Sequence, residues 1–256
     1  MYTLFEIEDR VGYITLNRVD KKNALNFEFV NEIKATLQNA IADTNCKVIV
    51  LKSSSDVFCA GADLAYLEQL QKNTYEENLA DSNNLAELFQ LIYHSPKVVI
   101  AQVQGHAIAG GCGLAGICDF SFSVPEAKFA YTEVKIGFIP AIVMVYLTRK
   151  IGEGKARELL LSGKLISATE AKDFGLVNYI IPADEMVDAV KNFAIGLCNE
   201  ASSQSLSSVK DMLAHIHNLS VENAVNYAAQ MNAKARATAD CKRGIAAFLN
   251  KEKIVW

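Results

Sequence analysis

The polarity pattern divides the chain in two. Up to about residue 180, short apolar runs alternate with longer amphipathic stretches, and beyond that point only helical periodicity remains. Residues 4–7 and Val11–Leu16 alternate apolar and polar side chains, which predicts a hairpin turning at Asp9-Arg10. A polar loop over 17–24 leads to Asn26, an N-cap for a helix from Phe27 to about Ala42. Residues 48–51 and Val98–Val103 are continuous apolar runs, as expected of strands buried on both faces. Leu64–Leu70 and 83–93 read as helices, the second stopped by Ser95-Pro96. The polar segment 69–82 between them reads as a mobile, partly helical excursion. A further apolar segment, 112–118, can start a helix directly after the turn Ala109-Gly110-Gly111. Then come a helix over 153–161 and a capping box from Ser167 to Glu170, whose helix Gly175 closes. A strand over 176–181 is ended by Pro182. The tail predicts three amphipathic helices, about 185–198, 204–217 and 220–249, the last broken near Asp240. The order is an α/β part, 1–185, followed by an all-helical region, 186–256. A tail this apolar on one face has to pack on its own core or on another subunit.

Composition narrows the class. The 256 residues are 51% hydrophobic and 21% charged, ample material for a globular core. A net charge of −4 without a basic block argues against nucleic acid or an anionic membrane as partner. No apolar run approaches the roughly 20 residues of a membrane span. The first ten residues carry acids where a secretory signal carries positive charge. Six cysteines (Cys46, Cys59, Cys112, Cys118, Cys198, Cys241) form no CxxC pair and read as reduced core thiols of a cytoplasmic protein. Of the four histidines only His215 and His217 lie close together, and on a helix they project in two directions, so no metal site is expected.

The candidate chemistry sits in two small-residue turns and one acid. Phe58-Cys59-Ala60-Gly61-Ala62-Asp63 and Ala109-Gly110-Gly111 each join a strand to a helix. Glycine lets a ligand approach the backbone, and a helix start offers unpaired N–H groups to negative charge. That is how an oxyanion hole is built. Glu133 is a lone acid in the apolar run 129–139, where desolvation would raise its pKa and suit it to acid/base work. Tight structural turns and a solvent-facing glutamate are the alternatives at this level.

Taken together, the motifs resemble the crotonase (enoyl-CoA hydratase/isomerase) superfamily over essentially the whole chain. The matching pieces are Asn17-Arg18 with Lys22-Asn23-Ala24-Leu25, Phe58 to Leu64, Gln104 to Cys112, Ala127-Lys128-Phe129 with Glu133, Gly137 and Pro140, and Gly163 to Ala168 with Ala171 and Gly175. The resemblance implies an α/β fold, a spiral of ββα units with a C-terminal helical trimerisation region. It implies an acyl-CoA thioester as ligand, a homotrimer or a dimer of trimers, and no cofactor beyond the CoA of the substrate. By motif position, the N–H groups of Ala62 and Gly110 would hold the thioester carbonyl and Glu133 would be the catalytic acid/base. Lys22, Asn23, Ala24 and Ala60 would meet adenine, and in the terminal segment from Phe248 to Lys251 the lysine would meet a CoA phosphate across a subunit interface. Gly61, Asp63, Leu64, Gly111, Gly113, Pro140 and Ala141 would complete the substrate contacts. Tyr131 would join them if its hydroxyl faces the acyl pocket; a core or surface position is the alternative.

One departure from the family pattern bears on the reaction. Hydratases of this superfamily usually carry a first glutamate directly after the Gly-Gly-Cys, and here Gly113 stands in that place. Two branches match a single glutamate: Δ3,Δ2-enoyl-CoA isomerases, and hydratases or dehydratases of 3-methylglutaconyl-type thioesters. The pattern Gly137-Phe138-Ile139-Pro140-Ala141-Ile142-Val143 carries the second resemblance further. A hydratase/dehydratase is therefore expected first and an isomerase second. An acyl-CoA-binding protein with weak or no catalysis is a third reading, from another class.

Overall fold

A computed structural model describes all 256 residues. The chain opens with β1 (Thr3–Glu8) and β2 (Val11–Leu16), an antiparallel hairpin in register Thr3 to Leu16. Its turn residues Asp9 and Arg10 both adopt positive φ, 49° and 67°, the backbone a tight two-residue hairpin demands. α1 (Phe27–Ala42) begins where expected, with the Asn26 side chain accepting the Phe29 N–H, and buries Phe29, Ile33 and Leu37. Then follow β3 (Val48–Ser53), α2 (Leu64–Leu70), α3 (Tyr75–Tyr93) and β4 (Val98–Val103). β5 (Ala107–Ile108), α4 (Gly110–Ile117), β6 (Phe120–Ser123) and β7 (Lys128–Ala130) carry the chain to α5 (Ala141–Ser162). β8 (Ile166–Ser167), α6 (Ala168–Asp173) and β9 (Tyr179–Ile180) end the strand-bearing part. The tail is α7 (Met186–Glu200), α8 (Ser203–Ile216), α9 (Val221–Ala237) and α10 (Ala239–Leu249).

Six strands form the main sheet in the order β1-β2-β3-β4-β6-β9, parallel from β2 onward. β5, β7 and β8 form a second, smaller sheet. Each pass of the spiral contributes a strand to the main sheet, and two passes also feed the small one. Val48 to Leu51 and all of β4 are buried, as strands covered on both faces must be. One apolar cluster of 50 buried residues runs through sheet and helices.

Three expectations change. The segment 69–82, expected to be partly helical, is more helical than that: α3 already starts at Tyr75, and its capping box pairs Thr74 with Glu77. Its first turns are exposed and polar, so no apolar stripe announces them. α5 begins at Ala141 rather than 153 and kinks at Gly152 (φ 75°, ψ 158°), so 141–151 is a helix the uninterrupted apolar run concealed. The strand expected over 176–181 shrinks to Tyr179–Ile180, because Leu176 and Val177 turn into the core. In the helical region, α7 packs on β2, β3, β4 and β6 and buries Met186, Val190, Ala194 and Cys198 in the main cluster. The break in the last helix falls at Thr238, which caps α10 two residues before Asp240.

Candidate active site

Two loops are stitched side by side where the passes of the spiral meet. Ala60 N donates to Lys22 O, Leu25 N to Gly61 O and Asp63 N to Leu25 O. On the other flank Ile108 N donates to Cys59 O, and Cys59 bridges Ala107. Gly61 is required twice over. Its φ is +91°, and a Cβ there would lie 2.9 Å from Ala109 Cβ and 3.0 Å from Ile108 O. This contact sets the two turns against each other. Ala109 itself takes a left-handed φ of 51° and donates its N–H to Ala130 O, which aims the start of α4. The Ala62 and Gly110 amides donate to no acceptor in the protein. Both residues line one cavity of about 530 Å3.

Glu133 opens a 3-10 turn (Glu133–Ile136) directly after β7 and lines the same cavity. Its Oε2 is buried and has no hydrogen-bond partner. Burial raises its pKa above the ordinary carboxylate value, against the smaller pull of a backbone N–H. The rest of the lining is mainly aliphatic, with Val30, Leu67, Leu70 and Leu85 on the helical side and Ile136, Phe138, Ile139 and Val143 around Glu133. Apolar surroundings of this kind hold the proton on the carboxyl more tightly and strengthen any hydrogen bond made inside.

Of the residues expected here, Ala60, Ala62, Leu64, Gly110, Glu133, Pro140 and Ala141 line the cavity. The others do not, each for a visible reason. Asn23 is fully buried and acts as a strut, donating to Ser53 Oγ and Phe58 O and accepting the Arg18 N–H. Lys22 is exposed and holds Ala60 through its carbonyl, while the Ala24 carbonyl takes the Arg18 guanidinium. Asp63 is committed to a buried 2.7 Å ion pair with Arg18 and to the N–H of Ala65, which it caps. Gly61 and Gly111 face neighbouring backbone, a Cβ at Gly111 falling 2.3 Å from Cys59 O. Tyr131 is 1% exposed, beside Cys112 in the core, so its hydroxyl does not reach the acyl pocket. Phe248 is 82% exposed and Lys251 also faces solvent, both outside the cavity of their own chain.

Gly113 does not line the cavity, because Val143 stands in front of it. A Cβ on Gly113 would meet Val143 Cγ1 at 2.3 Å and the Phe89 ring at 3.0 Å. The place of a first glutamate is filled with hydrocarbon from α5 and α3, so the cavity wall there is apolar.

The sequence reading passed over Tyr66, Asp81 and Asn84, all of which line the cavity. Tyr66 donates its hydroxyl to Asp81 Oδ1 at 2.5 Å. The signal was present: Asp81, Asn84 and Leu85 share one helix face at i, i+3 and i+4, legible once α3 is extended to Tyr75. A second cleft of about 290 Å3, beside Cys46 and Ser203, holds no comparable arrangement. Its cations are occupied, Lys47 by the Cys198 and Ala201 carbonyls and Lys97 by those of Ala40 and Asp43.

Comparison with known proteins points one way. The family model described as enoyl-CoA hydratase/isomerase matches residues 6–256. A Thermus thermophilus protein provisionally named an enoyl-CoA hydratase is 40% identical over 241 residues, 94% of this chain and 95% of that one. A crotonyl-CoA hydratase from Syntrophomonas wolfei is 32% identical, covering 98% of this chain and 95% of its own. The crystal structure of an enoyl-CoA hydratase from Shewanella pealeana superposes with a TM-score of 0.94 at 30% identity, over 100% of this chain and 96% of that one.

Proposed function

The chain belongs to the enoyl-CoA hydratase/isomerase family, and within it we propose a hydratase/dehydratase that works with one carboxylate. The observation carrying this reading is the buried, partnerless Glu133 oxygen in the same cavity as two unpaired backbone amides. The thioester carbonyl oxygen accepts from the Ala62 and Gly110 N–H groups. These donors stabilise the enolate that forms when a nucleophile adds at the β-carbon, each contributing about 3–4 kcal/mol to lowering the barrier. Glu133 accepts a proton from water as the water oxygen bonds to the β-carbon. It then returns that proton to the α-carbon, so one water is added across the double bond and the carboxylate is regenerated. A carboxyl with a raised pKa gives up the proton more slowly than an ordinary one but receives it more readily, the compromise a group serving both steps requires. The chemistry asks for no metal or redox group, since the thioester supplies the activation.

The branched 3-methylglutaconyl thioester remains the substrate suggested by the Pro140-Ala141-Ile142-Val143 run. Adenine contacts from the backbone of 22–24 and phosphate contacts from Lys251 of a neighbouring copy complete the CoA site. The assembly is a homotrimer or a dimer of trimers. Six unpaired cysteines, five of them buried, support a reducing, cytoplasmic setting. No helix is long and apolar enough to cross a membrane.

One observation favours a second reading. With Val143 where a first acid would stand, the wall there gives water no anchor, and a lone base beside hydrocarbon suits a 1,3-proton shift. The test follows the protein with crotonyl-CoA, 3-methylglutaconyl-CoA and a 3-enoyl-CoA in deuterated water by mass spectrometry. Gain of water on a 2-enoyl thioester is the expected result. Double-bond migration in the 3-enoyl substrate without added water would make the protein an isomerase, and binding without turnover would make it a carrier of acyl-CoA.

A further inference from the structure

Of the two amides assigned to the thioester carbonyl, that of Gly110 opens α4 and takes its direction from that helix. Ala62 stands outside any helix, before the N-cap Asp63 of α2, and is held by a parallel bridge to Leu25. Leu25 donates to Gly61 O at 2.6 Å and accepts from Asp63 N at 2.9 Å. In a parallel bridge of this pattern the residue between the two bonded ones turns its own N–H and C=O away from the partner. The Ala62 amide is thereby left free beside the cavity that the residue lines. Its aim is only as firm as the register of Leu25 against it.

One side chain clamps both sides of that bridge. The Arg18 guanidinium donates from Nη1 to Ala24 O at 2.6 Å and from Nη2 to Asp63 Oδ2 at 2.7 Å. Ala24 precedes Leu25 and Asp63 follows Ala62, so the fork spans the bridge from one segment to the other. Both charged side chains are 9% exposed, and the Tyr2 ring lies against the guanidinium, its centroid 5.6 Å from Cζ. Neither Arg18 nor Asp63 lines the cavity. A buried ion pair adds little net stability over apolar side chains of the same volume; what it does supply is a rigid, planar two-point fork. We propose that Arg18 and Asp63 are a positioning pair that aims the Ala62 amide at the thioester carbonyl. The proposal rests on the oxyanion reading of the Ala62 and Gly110 amides but not on the hydration step.

Its test reads the carbonyl directly, by infrared difference spectra of hexanoyl-CoA isotope-labelled at the thioester carbonyl and bound to the full-length protein. In the unaltered protein the stretch should lie below that of the free ligand, because fixed N–H donors in an apolar site polarise C=O more than water does. Arg18→Leu combined with Asp63→Ser removes both charges at once, and serine still caps α2. With the Ala62 donor misaimed, the band should move about half-way or more back towards the free position while the ligand stays bound. For any thioester that turns over, kcat should fall about tenfold to a hundredfold with KM little changed, since deleting a donor outright costs about a hundredfold to a thousandfold. The control is Lys210→Met with Asp119→Asn, which removes a second largely buried ion pair away from the cavity and should leave the band in place. An equal movement in that control shows a general loosening and overturns the proposal. An unmoved band in the Arg18→Leu, Asp63→Ser protein also overturns it, while the oxyanion reading stands. Where that protein does not fold, Arg18→Lys decides: it keeps the charge without the planar fork, its band should fall between, and a band at the parent position overturns the proposal. No shift in the unaltered protein, or no binding, overturns the oxyanion reading and the proposal with it.

Discussion

Glu133 is held in its site at a cost to the fold. Burial raises its pKa above the ordinary carboxylate value, so the folded chain binds this proton more tightly than the unfolded chain. Stability from that proton is fully present below the ordinary carboxylate pKa and is lost as pH rises through the raised value. Glu133→Gln removes the cost, so the variant should melt higher than the parent at pH 7, with the gain shrinking towards pH 4. Melting curves across that range check it; an equal or lower melting temperature at pH 7 would mean the carboxylate is well solvated. Acid in an apolar run was enough for the sequence to single out Glu133. Motif position, by contrast, does not reveal that Arg18 pairs with the Asp63 carboxylate or that Tyr131 takes the core position that was its alternative.

At the scale of elements, the pairing of α4 with α5 decides how many acids the cavity has. α5 enters beside Pro140 and drives Val143 against Gly113, so position 113 has no room for a side chain. Gly113→Glu should therefore destabilise the fold by about 1–3 kcal/mol through overpacking alone. Adding Val143→Ala should recover part of that loss, as thermal unfolding of both variants would show. A Gly113→Glu protein as stable as its parent would mean that α5 yields easily and that the apolar wall is soft. The absent glutamate was legible in the sequence; the valine filling its place was not, since the helix over 141–151 lay hidden in an apolar run and no short-range pattern pairs it with residue 113. Capping signals served better. Asn26, Ser167 and the break near Asp240 all fall at or beside real helix boundaries, because a cap is a local hydrogen bond that needs no tertiary contact.

Over the whole molecule, the α/β spiral and the helical tail followed from the order of apolar runs, and the matched motifs supplied the topology that no single run specifies. Which part of the tail is free did not follow. α7 seals the sheet, whereas α9 buries no residue and leaves Val221 and Val225 exposed at 82% and 63%. Phe248 and Leu249 of α10 are likewise 82% and 72% exposed, apolar surface that the proposed assembly would cover. Light scattering at micromolar concentration should find a particle of three or six chains, and a single chain would contradict the proposed assembly.

The central claim is that one carboxylate, Glu133, carries out both proton transfers of a hydration. The most direct test is the initial rate of crotonyl-CoA hydration at neutral pH by the parent protein and by Glu133→Gln. A general acid/base of this kind supplies about a hundredfold to ten-thousandfold in rate, and a loss of that order is the predicted result. A variant that hydrates crotonyl-CoA within a few-fold of the parent would show that another group moves the protons.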